Sequence, residues 1–425
     1  MSNAPIPTLR LSMRTITPVC IGSDKGDQLS PYADYIFSED GKQLHYLNLR
    51  AIERAFEAPG MQPQLDEYVR GIRTGMDNNR SDFDLRRFLT GVLKQDPGVV
   101  TRRMVAQYGL KPGDRRNIMA AIKNAGQLYI PGSSIKGALR TAMLYDWLVN
   151  TKAGEPELKR CAFLIGQYAE KKNEQAALRK RSNDPDARRR ARDMQKELQR
   201  LEDDIFNEDK LFGKLNDRNN PQHRGPDARH IRVSDTRALD LSPEVYSLRR
   251  IRIVPGQGKS VIPQVIEAIP AGADLPFGLD IVPQIGSPVL QYWNKGDFSE
   301  IFSLLNGFSK ACIENELYEL RDAIDSSETP LPHEKEIGQL IEFYEGLEAR
   351  ANSGEILLRV GFGKTVHDNS LLLALLNGLE DEQKAWQQFR QAFHRVGRRN
   401  AFFPVTRTIT PGGAPMGWVK ITKQE

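Results

Sequence analysis

Residues 9–16, LRLSMRTI, alternate apolar and polar side chains, the period of a half-buried strand. A loop from Pro18 to Pro31 follows, carrying Gly22, Ser23, Gly26 and Ser30. Two short strands are expected beyond it, at 32–37 and 44–49, around the turn Glu39-Asp40-Gly41. Residues 51–58 read as a helix ended by Pro59-Gly60. From there to about Asn124 the chain is polar, Arg-rich and predicted mostly helical, with breaks at Asp96-Pro97-Gly98 and Lys111-Pro112-Gly113, in the manner of an insertion. A short strand at 127–130 then meets Pro131-Gly132-Ser133-Ser134, which turns the chain into a helix through about Val149. Ile135, Leu139, Met143 and Trp147, spaced i,i+4, make its apolar stripe.

A second helical insertion is predicted over about 151–227, with a Gly/Asn/Pro-rich exit at 216–226. Strands are expected at 230–234, 248–254, 261–269 and 277–282, helices at 298–324 and 332–351, and a strand at 355–360. Gly361-Phe362-Gly363-Lys364-Thr365 is a loop, 369–396 is helical, and 417–421 is a last strand. Strands and helices mix here without strict βαβ alternation, which favours an α+β class with helices on one face of antiparallel sheets. Two tandem ferredoxin-like (RRM-like) domains with large helical insertions absorb the strand count. The first is expected over 1–255, with insertions at about 59–125 and 151–227. The second is expected over 256–425, with an insertion at about 294–351.

Composition changes this picture little. With 39% hydrophobic and 27% charged residues in 425, the chain is near the globular average. Its three cysteines, Cys20, Cys161 and Cys312, form no CxxC pair, which argues against a disulfide scaffold or a cysteine zinc site and fits a reducing cytoplasm. No apolar run reaches the length of a membrane span and the start lacks a signal-peptide core, so a cytoplasmic protein without membrane attachment is expected. The net charge of +5 is concentrated. Residues 171–200 hold eleven Lys/Arg against five Asp/Glu, which leaves the rest of the chain slightly acidic. That segment fits a solvated helix laced with i,i+4 pairs or an arm facing a polyanion.

Familiar catalytic patterns fail on spacing. For Gly258-Lys259-Ser260 and Gly363-Lys364-Thr365 a phosphate-binding loop needs a glycine at 253 and 358, where Ile253 and Leu358 stand. The six histidines give no HExxH pair, and there is no GxSxG elbow. Asp24 and Asp27, in the first glycine-bearing loop, are the carboxylates best placed to hold a divalent metal or act as a base, although loop aspartates commonly just make turns. No cofactor or resident metal is expected.

The strongest chemical feature is the run 129–140, YIPGSSIKGALR. A strand enters a Gly-Ser turn that opens a helix, and the first helical amides suit a phosphate. Lys136 and Arg140 share a face away from the apolar stripe. An ordinary capped helix start with solvated basic residues fits the same spacing. Gly361 to Thr365 is a second junction of this kind, and Trp418 near the end of the chain reads as core.

Taken together, IPGSSIKGALRTAML (130–144), the loop Cys20-Ile21-Gly22-Ser23, the GFGKT loop (361–365) and Leu211-Phe212-Gly213 followed by Arg232-Val233-Ser234-Asp235 resemble the signatures of the RAMP superfamily of CRISPR-associated proteins. The ending, Pro404, Thr406-Arg407 and Pro415-Met416-Gly417-Trp418-Val419-Lys420, is similar to one branch, the Csm-type subunit that caps the crRNA 3′ end in type III-A complexes, as is Asp34-Tyr35-Ile36. Met416 stands where that branch usually has Leu. The resemblance implies a non-catalytic, crRNA-binding subunit of a ribonucleoprotein that targets foreign transcripts, needed for crRNA 3′-end maturation while other nucleases trim. Its implied partners are crRNA, the backbone and small RAMP subunits of the complex, and host 3′ exonucleases. It also implies RNA contacts at Gly132, Ser133, Ser134, Lys136 and Arg140, at Gly361, Gly363, Lys364 and Thr365, at Gly22, Ser23 and Lys25, and at Arg407.

Three other roles are open at this level. A RAMP backbone subunit would cut target RNA with a metal and Asp24 or Asp27. A metal-independent processing endoribonuclease would use His45. A protein scaffold would not touch RNA.

Overall fold

The computed structural model describes residues 9–23, 27–78, 82–181, 183–206, 231–253, 264–281, 298–327, 330–369, 372–378 and 404–424. The alternation at the start of the chain forms the strand Leu9–Thr15, with Leu11, Met13 and Thr15 turned inward. It is the middle of a five-stranded antiparallel sheet, ordered Ile356–Arg359, Trp418–Lys423, Leu9–Thr15, Asp274–Ile281, Ile231–Val233. Met13 stands opposite Leu275 on one side and Ile421 on the other, so the first and last described strands of the chain are neighbours.

Helices cover one face of this sheet. Gly132–Asn150 lies between Leu9–Thr15 and Ile231–Val233 in sequence; Ser299–Asp325 and Glu334–Asn352 lie between Asp274–Ile281 and Ile356–Arg359. The predicted stripe Ile135, Leu139, Met143 and Trp147 is buried throughout, in one core with Leu11, Met13, Phe277 and Val419. Among the strands of this sheet and the helices named here, the chain order is strand, helix, two strands, two helices, two strands, with other elements of the chain in between.

The second sheet has seven strands: Gln28–Leu29, Ile118–Met119, Val265–Ala268, Glu244–Ser247, Thr101–Tyr108, Gln43–Leu47 and Tyr35–Phe37. It is mixed, because Thr101–Tyr108 runs parallel to Glu244–Ser247 and Ile118–Met119 parallel to Val265–Ala268. The α+β class stands, and strands from either side of residue 255 meet in both sheets.

Three elements depart from expectation. The stretch 59–124 is helical only at its start, in Gln62–Asn78 and the short turns up to Val92; its second half supplies Thr101–Tyr108, a central strand. Only Val105 of that strand is buried, so its sequence TRRMVAQY shows no apolar alternation. The basic segment is a pair of helices, Glu155–Lys180 and Pro185–Phe206. Ala187, Ala191, Leu198 and Ile205 make the buried side of the second, while Arg188, Arg189, Arg190 and Arg192 face outward. Thr406–Ile409, not expected as a strand, pairs with Arg249–Arg252. Among the described residues no helix is long and apolar enough to cross a membrane, and Cys20, Cys161 and Cys312 are buried and unbridged.

Candidate nucleic-acid interface

Because neighbours in the five-stranded sheet are antiparallel, Leu9–Thr15, Ile231–Val233 and Ile356–Arg359 all run the same way. The segments after them are the Cys20–Ser23 loop, the Ser234–Asp235 junction and the Gly361–Thr365 loop. Strand direction therefore gathers all three signatures at one end of the sheet.

The first of these loops is held from two sides. Ser23 N–H donates to Ala120 O at 3.2 Å and Ile122 N–H to Ile21 O at 2.8 Å, with Gly22 bridged to Ala121. On the other side, Phe362 N–H donates to Cys20 O at 2.8 Å. Gly361 is in the left-handed region at φ 73°, and a Cβ there would lie 2.4 Å from Cys20 O. Only glycine lets these two loops touch.

Arg359 braces the second loop from beneath. Its guanidinium donates to Gly363 O at 2.8 Å, to Met416 O at 3.0 Å and to Asp368 Oδ2 at 2.6 Å. Asp368 Oδ2 also accepts from Thr365, through N–H at 2.9 Å and the hydroxyl at 3.1 Å. Burial works to raise the Asp368 carboxyl, but Arg359 and the Thr365 N–H outweigh it and hold it below the usual aspartate value. Thr365 is thus committed to shaping the loop.

The third signature docks onto the junction after Ile231–Val233. Gly132 N–H, the first amide of its helix, donates to Asp235 Oδ1 at 2.7 Å. Ile130 and Thr236 exchange hydrogen bonds, and a Cβ on Gly132 would meet Val233 O at 2.2 Å. The helix start expected to take a phosphate at Gly132 is already filled there by an aspartate, so Gly132 serves close packing. The outer surface of the same helix begins at Ser133, which is exposed, with Ser134 and Lys136 partly exposed. Burial first, and then the like charge of Arg140, hold the Lys136 ammonium below the usual lysine value. Two cations pressed together one turn apart suit a shared anion.

Arg407 is elsewhere. It is only 4% exposed, with Nε on Glu316 Oε2 and Nη2 on Glu319 Oε2, both at 2.7 Å, and Nη1 on Pro404 O at 2.6 Å. Its donors are consumed inside the core, which corrects the expectation that it meets RNA. His367 Nε2, 3.4 Å from Glu319 Oε1, completes the group. Burial alone would lower its imidazole; the Glu319 carboxylate, with Glu316 behind, raises it overall. Trp418 is core, as expected.

Asp27 accepts from the Ser23 hydroxyl at 2.7 Å, a turn contact. Asp24, Lys25, the 211–213 motif and Gly258-Lys259-Ser260 lie outside the described residues. Among the described residues no group of three or more His, Cys, Asp or Glu could hold a metal. His45 sits in the second sheet with Nδ1 2.9 Å from Thr101 Oγ1, its imidazole lowered by burial and by Arg86.

The RAMP superfamily profile matches residues 12–366, across both sheets and all three loops. The chain belongs to the RAMP superfamily. This RAMP chain is 25% identical over 453 residues to the "CRISPR system Cms protein Csm5" of Methanocaldococcus jannaschii, with 98% of the chain and 90% of that protein covered. Its fold is similar to a chain of the cryo-EM structure of a Csm–crRNA–target RNA ternary complex of a type III-A CRISPR-Cas system, with a TM-score of 0.62 at 18% identity, covering 98% of this chain and all of the other. It is also similar to the crystal structure of T. onnurineus Csm5, with a TM-score of 0.56 at 20% identity over 96% and 99% of the two chains.

Sequence reasoning placed Asp235 in a signature but missed its bond to the helix start, and it missed the buried Arg359–Asp368 pair under the glycine loop. A charged residue in the apolar strand ILLR was the available signal for Arg359.

Proposed function

We propose that this chain is a non-catalytic, crRNA-binding subunit of a type III-A CRISPR effector complex. In this reading it caps the crRNA 3′ end, takes part in 3′-end maturation and adjoins the backbone and small RAMP subunits, with host exonucleases doing the trimming. The observation that carries the reading is the convergence of three glycine-bearing loops at one end of the five-stranded sheet, beside the Lys136–Arg140 pair. Paired cations beside exposed, side-chain-poor loop backbone such as Gly22 suit a sugar-phosphate chain. The names of the relatives support the complex and the RNA. An RRM-like origin for the five-stranded unit, with a second such unit in the seven-stranded sheet, belongs to the same proposal. So do a cytoplasmic setting and RNA contacts at Gly22, Ser23, Lys25, Ser133, Ser134, Lys136, Arg140, Gly361, Gly363 and Lys364.

The test is RNA binding as a function of salt. Each phosphate contact contributes about −0.7 to the slope of log K against log salt on single strands. Lys136→Glu with Arg140→Glu should weaken crRNA binding and flatten that slope by on the order of 1.4, with the melting temperature held. Unchanged affinity and slope would sink the reading. Complexes reconstituted with Asp24→Ala or Asp27→Ala should keep every target-cleavage site. A lost site would replace the proposal with the endoribonuclease.

A further inference from the structure

The basic segment has no part in the loops. Residues 179–192 hold seven Lys/Arg against Asp184 and Asp186, a balance of +5 that equals the net charge of the whole chain, so the remaining charges cancel. The fold gathers this excess further. Glu155–Lys180 and Pro185–Phe206 pack against each other and are joined at 181–184. Gln175 Nε2 donates to Ala191 O and to Gln195 Oε1, both at 3.0 Å, and Lys171 pairs with Glu197. Residues 179–181 and 188–192 therefore sit together at the turn end of a helical hairpin. Along the second helix Arg188, Arg192, Lys196 and Arg200 follow one another at i,i+4, all exposed, with a rise of roughly 6 Å per step. Like charges at that spacing repel and weaken a helix instead of lacing it. Arg188, Arg192 and Lys196 have no ion-pair partner among the described residues. Ala187, Ala191, Leu198 and Ile205 hold the helix in place from its buried side, so the row is not needed for folding.

Two kinds of polyanion could neutralise such a row, a nucleic-acid backbone or an acidic protein. A protein partner needs an apolar or aromatic anchor that desolvates among the charges. Among the described residues no large apolar side chain of 171–200 is exposed. A phosphate chain needs none, because its affinity comes from charge neutralisation and counterion release. We infer that the outer face of this hairpin is a second RNA contact, which holds the sugar-phosphate backbone through Arg188, Arg192, Lys196 and Arg200 and reads no base. This adds a surface to the one formed by the loops, and its test is separable from theirs.

The experiment titrates the full chain with labelled oligo(A), oligo(C) and oligo(U) of equal length across a range of salt. Arg188→Gln with Arg192→Gln and Lys196→Gln removes three charges and keeps good helix formers. It should weaken binding on the order of tenfold or more at low salt and flatten the slope of log K against log salt by about 2, at about 0.7 per lost contact. The loss should be equal on all three RNAs, since phosphates carry no sequence. The melting temperature should hold or rise, because repulsion along the row is relieved. Asp193→Asn, which removes an exposed negative charge beside the row, should tighten binding, a result that poor folding cannot imitate. Unchanged affinity and slope in both variants, or a loss confined to one RNA, would overturn the inference. So would a triple variant that binds RNA like the wild type but no longer joins the reconstituted complex, which would assign the face to an acidic protein. Lys136→Glu with Arg140→Glu separates the two surfaces. If only that variant weakens binding, the loops stand and the hairpin contact falls; if only the hairpin variant does, the hairpin stands and the loops fall.

Discussion

Arg407→Ala should damage the fold and leave RNA recognition alone. The guanidinium is the cation between two carboxylates, Glu316 and Glu319, which are 0% and 3% exposed. Its removal leaves His367, 3.4 Å from Glu319, beside the two carboxylates. Breaking a buried ion pair by deleting one partner costs about 3–5 kcal/mol, because the other charge stays desolvated. Unfolding entropy is roughly 2 cal/mol/K per residue, so a cooperative unit of this length loses about 1 °C per kcal/mol, and a smaller unit more. The melting temperature should therefore fall by at least about 3–5 °C.

The pH dependence sharpens the test. Without Arg407 the Glu319 carboxyl loses one of the groups that hold it low against its burial, so its folded value rises and it binds a proton at higher pH than in the wild type. A raised folded value stabilises toward acid, so the gap between variant and wild type should narrow as the pH falls from 8 towards 5. Denaturant titrations across that range measure it, with crRNA binding of the folded variant alongside. A variant as stable as wild type but deficient in RNA binding would refute the burial argument and return Arg407 to the RNA.

The wild-type His367 contribution has the opposite alkaline limit from its acidic neighbours. Its raised folded value means stability present below the ordinary imidazole value of 6.5 and lost as the pH rises through the folded value, so the stability difference from His367→Gln should shrink on the alkaline side. Asp368 and Glu319, both lowered, contribute above 3.8 and 4.5 and lose that contribution as the pH falls through their folded values. Leu139→Ala, at a site 2% exposed, should cost about 2–5 kcal/mol in denaturant titration, and a smaller loss would mean the helix is not packed as described. Asp235→Ala should cost about 0.5–2 kcal/mol by removing the acceptor of Gly132 N–H, read as a drop in denaturation midpoint.

Legibility followed the strength of local pattern. The helix Gly132–Asn150 was readable to within a residue or two because its stripe is fully buried at helical spacing. Thr101–Tyr108 was not, because a strand with one buried side chain carries no period-two signal; its place is set by partners at Gln43–Leu47 and Glu244–Ser247, far away in sequence. The basic segment read as one helix because its charges hide a sparse buried stripe, Ala187, Ala191, Leu198 and Ile205. At the interface, the glycines were visible but the groups that hold their loops were not. Arg359 and Asp368 lie in unremarkable text, and only tertiary contact reveals them; Asp235 was visible in its signature, but its bond to Gly132 N–H was not. Arg407 shows the converse error: an arginine inside a matched motif, with its charge spent on the core.

The glycines themselves divide into two kinds, and the division makes a last prediction. At Gly132, Gly361 and Gly417 an added Cβ would strike backbone oxygen at 2.2–2.4 Å, so these residues exist to let the protein pack against itself. Gly137 differs: it lies mid-helix on the exposed side, between Lys136 and Arg140, and a Cβ there would meet nothing within 4 Å. Glycine in a helix interior is less stable than alanine by roughly 0.5–1 kcal/mol, so Gly137→Ala should raise stability by about that amount. If the phosphate chain passes over this turn between the two cations, the added methyl group narrows its approach. The same variant should then bind crRNA more weakly while melting higher. Stability and affinity rising together would mean that the RNA does not cross the helix at Gly137.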